Sequence, residues 1–511
     1  MKERVKPLMF LGTGSDVGKS VLAAAFCRIL AQDGYRVAPF KAQNMALNSY
    51  ITLEGGEMGR AQVVQAEAAG IAPHVDMNPI LLKPTSQMGS QVIVLGKSVG
   101  NFSAREYYQY KKELASLVRD SYERLAARYD VIVMEGAGSA VELNLKDHDL
   151  VNMAMAEMAD AACVLVGDID RGGIFAALLG SFMLLTPREQ ERIAGFMVNK
   201  FRGDPQLFQS GIQILEDRGQ RPVLGVIPYF SHLAIQEEDS VALTRRMKRE
   251  PQPSRDNVIS IGVVRLPFIS NYTDFDCFEQ EPSVELAYFD DPSRVFHFDA
   301  IILPGSKNTL EDLDFLKGSG LFHAIVAYYR RGGTVVGLCG GYQMMGLSVR
   351  DPLGVESRLK EVEGLGLLDM ETEMFPEKIT SQVEVVCAAE KHLSSPEVLK
   401  GYEIHMGRSR SLGKAVPLFH TRLRDGELSS LSEGLTVADG RAWGTYIHGI
   451  FDNDSFRRAF LLEVRRRTGK SHVPISEGFN YHRWREEQFD LLAEHVRSHC
   501  RVDQVYEAMG L

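Results

Sequence analysis

Short apolar runs alternate with helix-length amphipathic stretches over the first 243 or so residues of the chain. The strand-like runs are Leu8–Leu11, Arg36–Pro39, Val131–Met134, Ala162–Val166, Gly195–Val198 and Val223–Ile227. The helical stretches between them include Val21–Asp33, Ala104–Arg128 and Leu150–Ala159. Strands separated by helices predict an α/β fold, a doubly wound parallel sheet covered on both faces. Ligands of such sheets bind at the carboxyl ends of the strands.

A second α/β pattern begins after a charged, proline-containing stretch without apolar periodicity. Its strand-like runs are Val258–Arg265, Ala300–Leu303, Thr334–Leu338 and Ala442–Ile447. The tail is helical in pattern, over Phe456–Arg467 and Trp484–Met509. We therefore predict a first domain at 1–245, a linker at 246–257, a second domain at 258–455 and a helical extension at 456–511.

The first strand runs into a glycine-rich loop that ends in a lysine and a hydroxyl at the start of a helix. The loop residues are Gly12, Thr13, Gly14, Ser15, Asp16, Val17, Gly18, Lys19 and Ser20. Backbone N–H groups and the helix N-terminus can hold phosphates there, Lys19 supplies a positive charge, and Ser20 can reach Mg²⁺. The motif is one residue longer than the usual phosphate loop and resembles the dethiobiotin-synthetase-like branch. A glycine-rich turn without a nucleotide is the alternative interpretation.

Polar residues follow the later strands of the first domain. Lys41 comes after the second strand, and Glu135 and Asp168 follow two others. A carboxylate at this edge is where a nucleotide-bound Mg²⁺ is held, so Ser20, Glu135 and Asp168 are the predicted metal residues. Asp170 is a further candidate, and for Glu135, Asp168 and Asp170 a solvated loop acid is the alternative interpretation. Lys41 and Asn199 are assigned to nucleotide binding, although Asn199 lacks the rest of an adenine-reading N-K-x-D motif.

Three cations are candidates for binding substrate carboxylates: Arg60, Lys83 and Arg171. Each is equally well explained as an exposed surface cation.

The chemistry of the second domain centres on Cys339. This cysteine ends the strand Thr334–Leu338 and is bracketed by Gly337, Gly340 and Gly341. A thiol on such a sharp strand-to-helix turn is typical of a nucleophile, and the next backbone N–H can donate to an oxyanion. A small buried core cysteine is the alternative.

A nucleophilic thiol needs a base, for which His448 is the first candidate and His405 another. Triad-type glutamine amidotransferases commonly carry Glu two residues after this histidine, but position 450 is Ile. Asp452 or Glu403 could orient the imidazole, or the pair could work as a dyad. Gly305 ends a strand, and its N–H could complete an oxyanion hole with that of Gly340.

The composition narrows the classes of partner. The net charge of −10 argues against a general nucleic-acid or membrane-surface binder. The six cysteines form no C-x-x-C pair, which argues against a disulfide framework or a zinc site and fits a reducing cytoplasm. No signal peptide or 18-residue apolar span is expected.

Read together, the motifs resemble the cobyrinic/cobyric acid amidases of cobalamin biosynthesis. The matching segments are GTGSDVGKS, PFKAQNMALNS, EGAGS, GDIDRGGIFA, NKFRGD, LPGSKNT, GLCGGYQMMG, GYEIHMG and YIHGIFDN. PFKAQNMALNS and GDIDRGGIFA favour the branch that amidates the b, d, e and g carboxylates over its a,c-diamide-forming relative. The resemblance implies ATP- and glutamine-dependent amidation of adenosylcobyrinic acid a,c-diamide. It also implies Cys339 as the nucleophile and His448 as its partner.

Two other functions are weighed against this one. An amidating enzyme of the same type could act on the a,c carboxylates or on a cell-wall intermediate. A partition-type ATPase switch would share the phosphate loop, but such proteins carry a further lysine where this chain has Thr13 and Gly14. The Cys339 turn would also serve no purpose in a switch.

Overall fold

The chain forms two compact units. A computed structural model describes residues 5–86, 89–230, 257–388 and 393–511. Of these, 5–46, 56–230 and 485–511 form the first unit, and 47–55 and 257–484 form the second. The predicted linker at 246–257 lies outside the described residues except for its last position.

The first unit is built on a sheet of six parallel strands. In spatial order the strands are Val223–Pro228, Ile193–Phe201, Ala162–Asp168, Leu8–Gly12, Val131–Glu135 and Val37–Phe40. The central strand pairs in parallel with both neighbours, Leu8 opposite Ala162 on one side and Val133 on the other. Because helices cover both faces, these strands are continuous apolar runs. The predicted doubly wound α/β class is confirmed.

The helices of the first unit join successive strands or close the phosphate loop. They are Lys19–Gln32, Arg60–Ala68, Ala104–Arg128, Met153–Ala159, Ile174–Leu184, Pro187–Glu191 and Gln209–Gly219. The first of them buries Leu22, Phe26 and Ile29 against the sheet, with the rings of Phe10 and Phe26 5.3 Å apart. This packing fixes the helix N-terminus at the end of the first strand.

A smaller sheet in the first unit was not predicted. It consists of Gln43–Met45, Ile80–Ser86, Gly89–Val94 and Lys97–Ser103. Its first strand has three residues and its last strand is largely exposed, so the sheet leaves little periodic apolar signal in the sequence.

The predicted helix over Trp484–Met509 is two helices, Tyr481–His499 and Val502–Met509. The chain is extended between them because its backbone pairs with the edge strand of the large sheet. Arg501 N donates to Leu224 O at 2.7 Å, and Cys500 bridges to Gly225. Apolar side chains of both helices join the core of the first unit. The break is therefore a tertiary contact that helical periodicity does not reveal.

The second unit contains a mixed sheet. Its parallel strands, in spatial order, are Val284–Phe289, Ile259–Val264, Ala300–Leu303, Thr334–Leu338 and Ala442–Thr445. An antiparallel part continues it through Ser432–Thr436, Val416–Arg424, Met370–Cys387 and Leu399–Ser411, with the short strands Ser348–Arg350, Glu361–Glu363, Glu427–Leu428 and Ile447–His448. The two-residue strands Ile269–Ser270 and Gly305–Ser306 pair separately.

The helices of the second unit are Asp276–Glu279, Thr309–Ser319, Leu321–Arg330, Gly340–Met344 and Asp454–Thr468. Asn308 caps the second of these, its side chain accepting from Glu311 N, as its position before the apolar run predicts. Within the described part of the chain, no helix combines the length and apolarity needed to cross a bilayer.

Candidate functional site

The phosphate loop lies at the carboxyl end of the central strand of the first unit. The strand ends at Gly12 and the helix begins at Lys19. Asp16 and Gly18 take left-handed backbone conformations, with φ of 59° and 96°. A Cβ on Gly12 would lie 2.8 Å from the backbone oxygen of Gly14, so glycine fits best there. The loop can thereby close tightly and leave its N–H groups available to an anion.

Lys19 is nearly buried and its ammonium lies across the loop. Its Nζ donates to Gly14 O at 2.9 Å and to Gly138 O at 3.0 Å. Gly138 belongs to the segment after the neighbouring strand, which also bridges to the loop through Ser139 and Thr13. The Lys19 ammonium therefore lies between the loop and the segment that carries Gly138.

Glu135 is a buried carboxylate that gathers three donors at the strand end. Ser20 Oγ donates to its Oε1 at 3.2 Å, and Lys41 Nζ donates to the same oxygen. Gln65 Nε2 donates to its Oε2 at 2.8 Å. The structure thus brings Ser20, Lys41 and Glu135 together, and it adds Gln65, which no sequence motif had marked.

Asp168 lies at the end of the strand on the other side of the phosphate loop. Its Oδ2 accepts from Lys200 Nζ at 3.0 Å, and Arg171 Nε lies 3.5 Å away. Asp170 instead pairs with Arg202 at 2.7 Å. Of the two aspartates, Asp168 is the buried one.

Asn199 supports the loop from beneath, because its Nδ2 donates to Val17 O at 2.8 Å. Among the candidate clamps, Lys83 pairs with Glu57 at 2.6 Å in a site where both side chains are 1% exposed. Arg171 also contacts Asp16 at 3.2 Å and is more than half exposed. Arg60 is buried at the start of its helix.

Cys339 lies in the second unit at a strained turn between the strand Thr334–Leu338 and the helix Gly340–Met344. Its φ and ψ are 50° and −108°, outside the favoured regions for a side-chain-bearing residue. A Cβ on Gly341 would approach Leu303 O to 2.0 Å, so the turn needs glycine there. The thiol is 7% exposed and its Sγ contacts Ile404 O at 3.5 Å. This is the predicted nucleophile turn, and strain at such a position is typical of functional sites.

His448 lies beside the thiol and is oriented by a carboxylate. Its Nδ1 bonds to Asp274 Oδ2 at 2.7 Å, and Gly449 N donates to Asp274 Oδ1 at 2.9 Å. The carboxylate accepts, so Nδ1 carries the proton and Nε2 is left to act on the thiol. Burial lowers the pKa of His448, but Asp274 and Cys339 outweigh burial and raise it to about 10.

The orienting carboxylate is therefore Asp274 rather than Asp452 or Glu403. Glu403 is held instead by Arg424 and lies 3.7 Å from His405 Nε2. Asp274 is 174 residues before His448 and belongs to no spacing pattern, so only the folded chain identifies it. His405 is the weaker candidate base because its Nδ1 bonds to Gly407 O at 2.7 Å.

The two glycines assigned to the oxyanion hole lie beside this pair. A Cβ on Gly305 would be 3.4 Å from His448 Cε1, and one on Gly340 would be 2.8 Å from Ser306 N. The loop that carries Gly305 is fixed by Asp312, whose Oδ2 accepts from Ser306 Oγ at 2.5 Å. The nucleophile turn and the loop at 305–306 therefore lie in close contact.

The fold and the two sites define a class: a nucleotide-binding domain joined to a glutamine amidotransferase domain. Two protein families match accordingly. Residues 8–241 match the CobQ/CobB/MinD/ParA nucleotide binding domain, and residues 260–456 match the CobB/CobQ-like glutamine amidotransferase domain.

Curated relatives match over almost the whole chain. A cobyric acid synthase of Syntrophobacter fumaroxidans is 67% identical over 99% of this chain and 99% of its own length. Those of Phocaeicola vulgatus and Desulfitobacterium hafniense are 50% and 48% identical, each over 100% of this chain and 99% of its own length. The chain belongs to the cobyric acid synthase family.

Proposed function

We propose that this enzyme amidates the b, d, e and g carboxylates of adenosylcobyrinic acid a,c-diamide to give adenosylcobyric acid. ATP activates each carboxylate, and glutamine supplies the nitrogen. One observation carries the proposal: a phosphate loop and a Cys339–His448–Asp274 constellation occur in one chain of the cobyric acid synthase family.

The first unit serves to make an inert acid electrophilic. A carboxylate does not react with ammonia, because its negative charge repels nucleophiles and hydroxide leaves poorly. Transfer of the γ-phosphoryl group of ATP to a carboxylate oxygen gives an acyl phosphate, from which phosphate leaves instead. The loop at 12–20 would hold the nucleotide phosphates, with Lys19 meeting the charge that develops on the transferred group.

Ser20, Glu135 and Asp168 are the residues we assign to Mg²⁺. The adjacency of the Ser20 hydroxyl to the buried Glu135 carboxylate supports this assignment, because hard oxygen donors at a phosphate loop suit that ion. Bound Mg²⁺ would neutralise phosphate charge. Lys41 forms an ion pair with Glu135 and holds its carboxylate in position.

The second unit serves to release ammonia from glutamine. His448 Nε2 takes the proton of the Cys339 thiol, and the sulfur attacks the glutamine side-chain amide carbon. The N–H groups near Gly305 and Gly340 would stabilise the oxyanion. The imidazolium returns its proton to the leaving nitrogen, ammonia departs, and a γ-glutamyl thioester remains. Water then hydrolyses the thioester to glutamate and regenerates the thiol.

The nitrogen must reach the acyl phosphate as ammonia, since ammonium has no lone pair for attack. Glutamine hydrolysis therefore has to coincide with acyl-phosphate formation, because ammonia released at other times is lost without amidation.

Mass spectrometry of adenosylcobyrinic acid a,c-diamide incubated with enzyme, Mg-ATP and glutamine tests the substrate. Replacement of OH by NH₂ lowers the mass by about one unit per carboxylate, so four successive losses are expected. Cobyrinic acid without the a and c amides is the parallel substrate. Amidation at its a and c positions alone, or no reaction with either corrinoid, would contradict the proposal.

We also propose a cytoplasmic location. All six cysteines are free thiols, which supports a reducing compartment.

A further inference from the structure

Residues 47–55, which we call the crossover segment, belong to the second unit although residues 46 and 56 belong to the first. Side chains of the second unit donate hydrogen bonds to backbone carbonyls of the segment. Tyr402 Oη donates to Ser49 O at 3.1 Å, Thr380 Oγ1 donates to Gly55 O at 2.9 Å, and Gln382 donates to Ile51 O. Ile51 also packs with Tyr402 and Ile404 in a small apolar cluster. The segment is thus anchored on the amidotransferase unit.

The crossover segment is connected to the His448 imidazole through the side chains of Asn271 and Tyr402. Ser49 N donates to Asn271 Oδ1 at 3.3 Å, and Asn271 Nδ2 lies 3.1 Å from His448 Nε2. Asn271 is 4% exposed and takes a left-handed conformation with φ of 51°. The Tyr402 ring, which anchors the segment, also stacks on the His448 ring at 5.4 Å. Two contacts therefore lead from the segment to the imidazole.

The hydrogen bond from Ser49 N sets the orientation of the Asn271 amide and, through it, the protonation form that His448 favours. A backbone N–H only donates, so it holds the Asn271 amide with its oxygen toward Ser49 and its NH₂ toward Nε2. An NH₂ group can face Nε2 favourably only if that nitrogen presents a lone pair. The Asn271 contact therefore favours the neutral imidazole, with its proton on Nδ1 and shared with Asp274, and so opposes the imidazolium that Asp274 and Cys339 favour. In this arrangement Nε2 is shared between the Asn271 amide and the Cys339 thiol, which makes it a poorer acceptor for the thiol proton.

We propose that Asn271 is a positioning residue that keeps the glutaminase at rest while the crossover segment is docked. When Ser49 N–H withdraws, the Asn271 amide is free to rotate and present its oxygen to Nε2. The S–H bond of Cys339 can then break as an N–H bond forms at Nε2, and the amide oxygen accepts from the resulting imidazolium. This inference rests on the proposed role of Cys339 in glutamine hydrolysis.

The short stretch of chain between Lys41 and the crossover segment can transmit a change at the phosphate loop to that segment. The crossover segment begins six residues after Lys41, whose ammonium contacts Glu135 at the end of the strand Val131–Glu135. A nucleotide or metal ion that rearranges Lys41 and Glu135 would pull on the segment through a very short tether. Glutamine would then be hydrolysed mainly when the acid is being activated.

A double variant, Tyr402→Phe with Thr380→Val, tests the device in the full-length protein. It removes two anchoring hydrogen bonds but keeps the Tyr402 ring and changes no triad residue. The matched control is Tyr328→Phe with Thr468→Val, because Tyr328 Oη donates to Phe298 O at 3.0 Å and Thr468 Oγ1 to Val464 O at 2.9 Å elsewhere in the same unit. Each pair removes one tyrosine and one threonine hydrogen bond to backbone.

Two quantities are measured without ATP or corrinoid: glutamate release from glutamine, and the rate of Cys339 alkylation by iodoacetamide against pH. We expect the loosened variant to hydrolyse glutamine about tenfold faster than the wild type, since each of the two lost bonds is worth about a factor of three. Its alkylation profile should shift to lower pH, and the control should match the wild type. Unchanged or slower hydrolysis with an unchanged alkylation profile would overturn the device.

Asn271→Asp is the second variant, in case the loosened protein folds poorly. A carboxylate tolerates the left-handed backbone, accepts from Ser49 N and favours the imidazolium. We expect ATP-independent glutaminase and alkylation at lower pH, whereas a merely structural role for Asn271 predicts loss of both. Wild-type hydrolysis with Mg-ATP and corrinoid, compared with Cys339→Ala, separates the two proposals. If the wild type lacks Cys339-dependent hydrolysis, the proposed function itself fails.

Discussion

The two candidate sites are assembled in opposite ways. The proposed nucleotide site is mostly one continuous stretch, residues 12–20, whose backbone N–H groups and single lysine would hold the phosphates. The amidotransferase site is made of side chains from four distant segments, represented by Asp274, Gly305, Cys339 and His448. Phosphate is a symmetric, highly charged ligand that a single loop can surround. Proton transfer and nucleophilic attack need individual atoms at fixed mutual positions, which one loop cannot supply.

The units also differ in how charge is arranged. In the first unit, the buried carboxylates Glu135 and Asp168 are neutralised by Lys41 and Lys200, so the edge of the sheet is a balanced polar surface. In the second, the Asp274 carboxylate accepts from an imidazole and a backbone N–H, and Asp274 together with Cys339 raises the pKa of His448 despite its burial. The first arrangement suits the binding of a charged ligand, and the second suits a histidine that accepts a proton.

Cys339→Ala is the change with the largest expected effect. Glutamine-dependent amidation should fall by at least about 10⁴-fold, because no other group can form the thioester. Amidation with added ammonium salts should persist, since the first unit is untouched. Product formation with each nitrogen source is the measurement. Loss of both activities in a folded variant would show that the sites are not separable.

Lys19→Met changes the first unit and leaves the residues of the amidotransferase site unchanged. Amidation should fall about 10³-fold with either nitrogen source, because the transferred phosphoryl group loses its main positive partner. Basal glutamine hydrolysis should remain, which a glutaminase assay measures. Arg28→Met is the control, since Arg28 lies on the same helix but pairs with Glu486 and Asp490. Equal loss in both variants would point to damage of the helix rather than of the site.

Asp274→Asn sharpens the comparison within the amidotransferase site. An amide at 274 can donate to Nδ1, which moves the imidazole proton to Nε2 and removes the acceptor that the thiol needs. We expect kcat for glutamine hydrolysis to fall about 10²-fold, less than for a serine nucleophile because a thiol ionises more readily. Asp452→Asn should stay near wild type. If kcat fell more in Asp452→Asn than in Asp274→Asn, Asp452 would be the residue that orients His448.

Asp312→Asn has the smallest effect, on stability rather than chemistry. Burial raises the pKa of Asp312 to about 7, against Ser306 and Phe268, whose hydrogen bonds lower it. An unfolded carboxyl ionises near pH 4, so the folded form binds the extra proton and loses stability as pH rises from about 4 to 7. A neutral amide avoids this loss. Relative to wild type, the variant should gain about 2–4 kcal/mol across that range.

Urea unfolding of the second unit at several pH values checks this prediction. Asp314→Asn is the control, because Asp314 is an exposed carboxylate on the same helix. A constant difference between Asp312→Asn and wild type from pH 4 to 8 would contradict the assignment.

Local features of the sequence were enough for the elements that carry the motifs. The strands Ala300–Leu303 and Thr334–Leu338 and the helix Ala104–Arg128 lie where the apolar pattern predicts them. Each is long or strongly apolar, so its own residues decide its structure. The split helix near Cys500 and the short strands between 80 and 103 depend on partners elsewhere, and the pattern did not reveal them.

By itself, the sequence determined the α/β class, the phosphate loop, the cysteine turn and the family, because each resides in contiguous residues whose spacing is dictated by local geometry. Only the tertiary structure decided that Asp274 orients His448, that Gln65 joins Glu135, and that residues 47–55 dock on the amidotransferase unit. These are contacts between residues far apart in the chain. Their energy depends on distance and burial in three dimensions, for which order along the chain carries no signal.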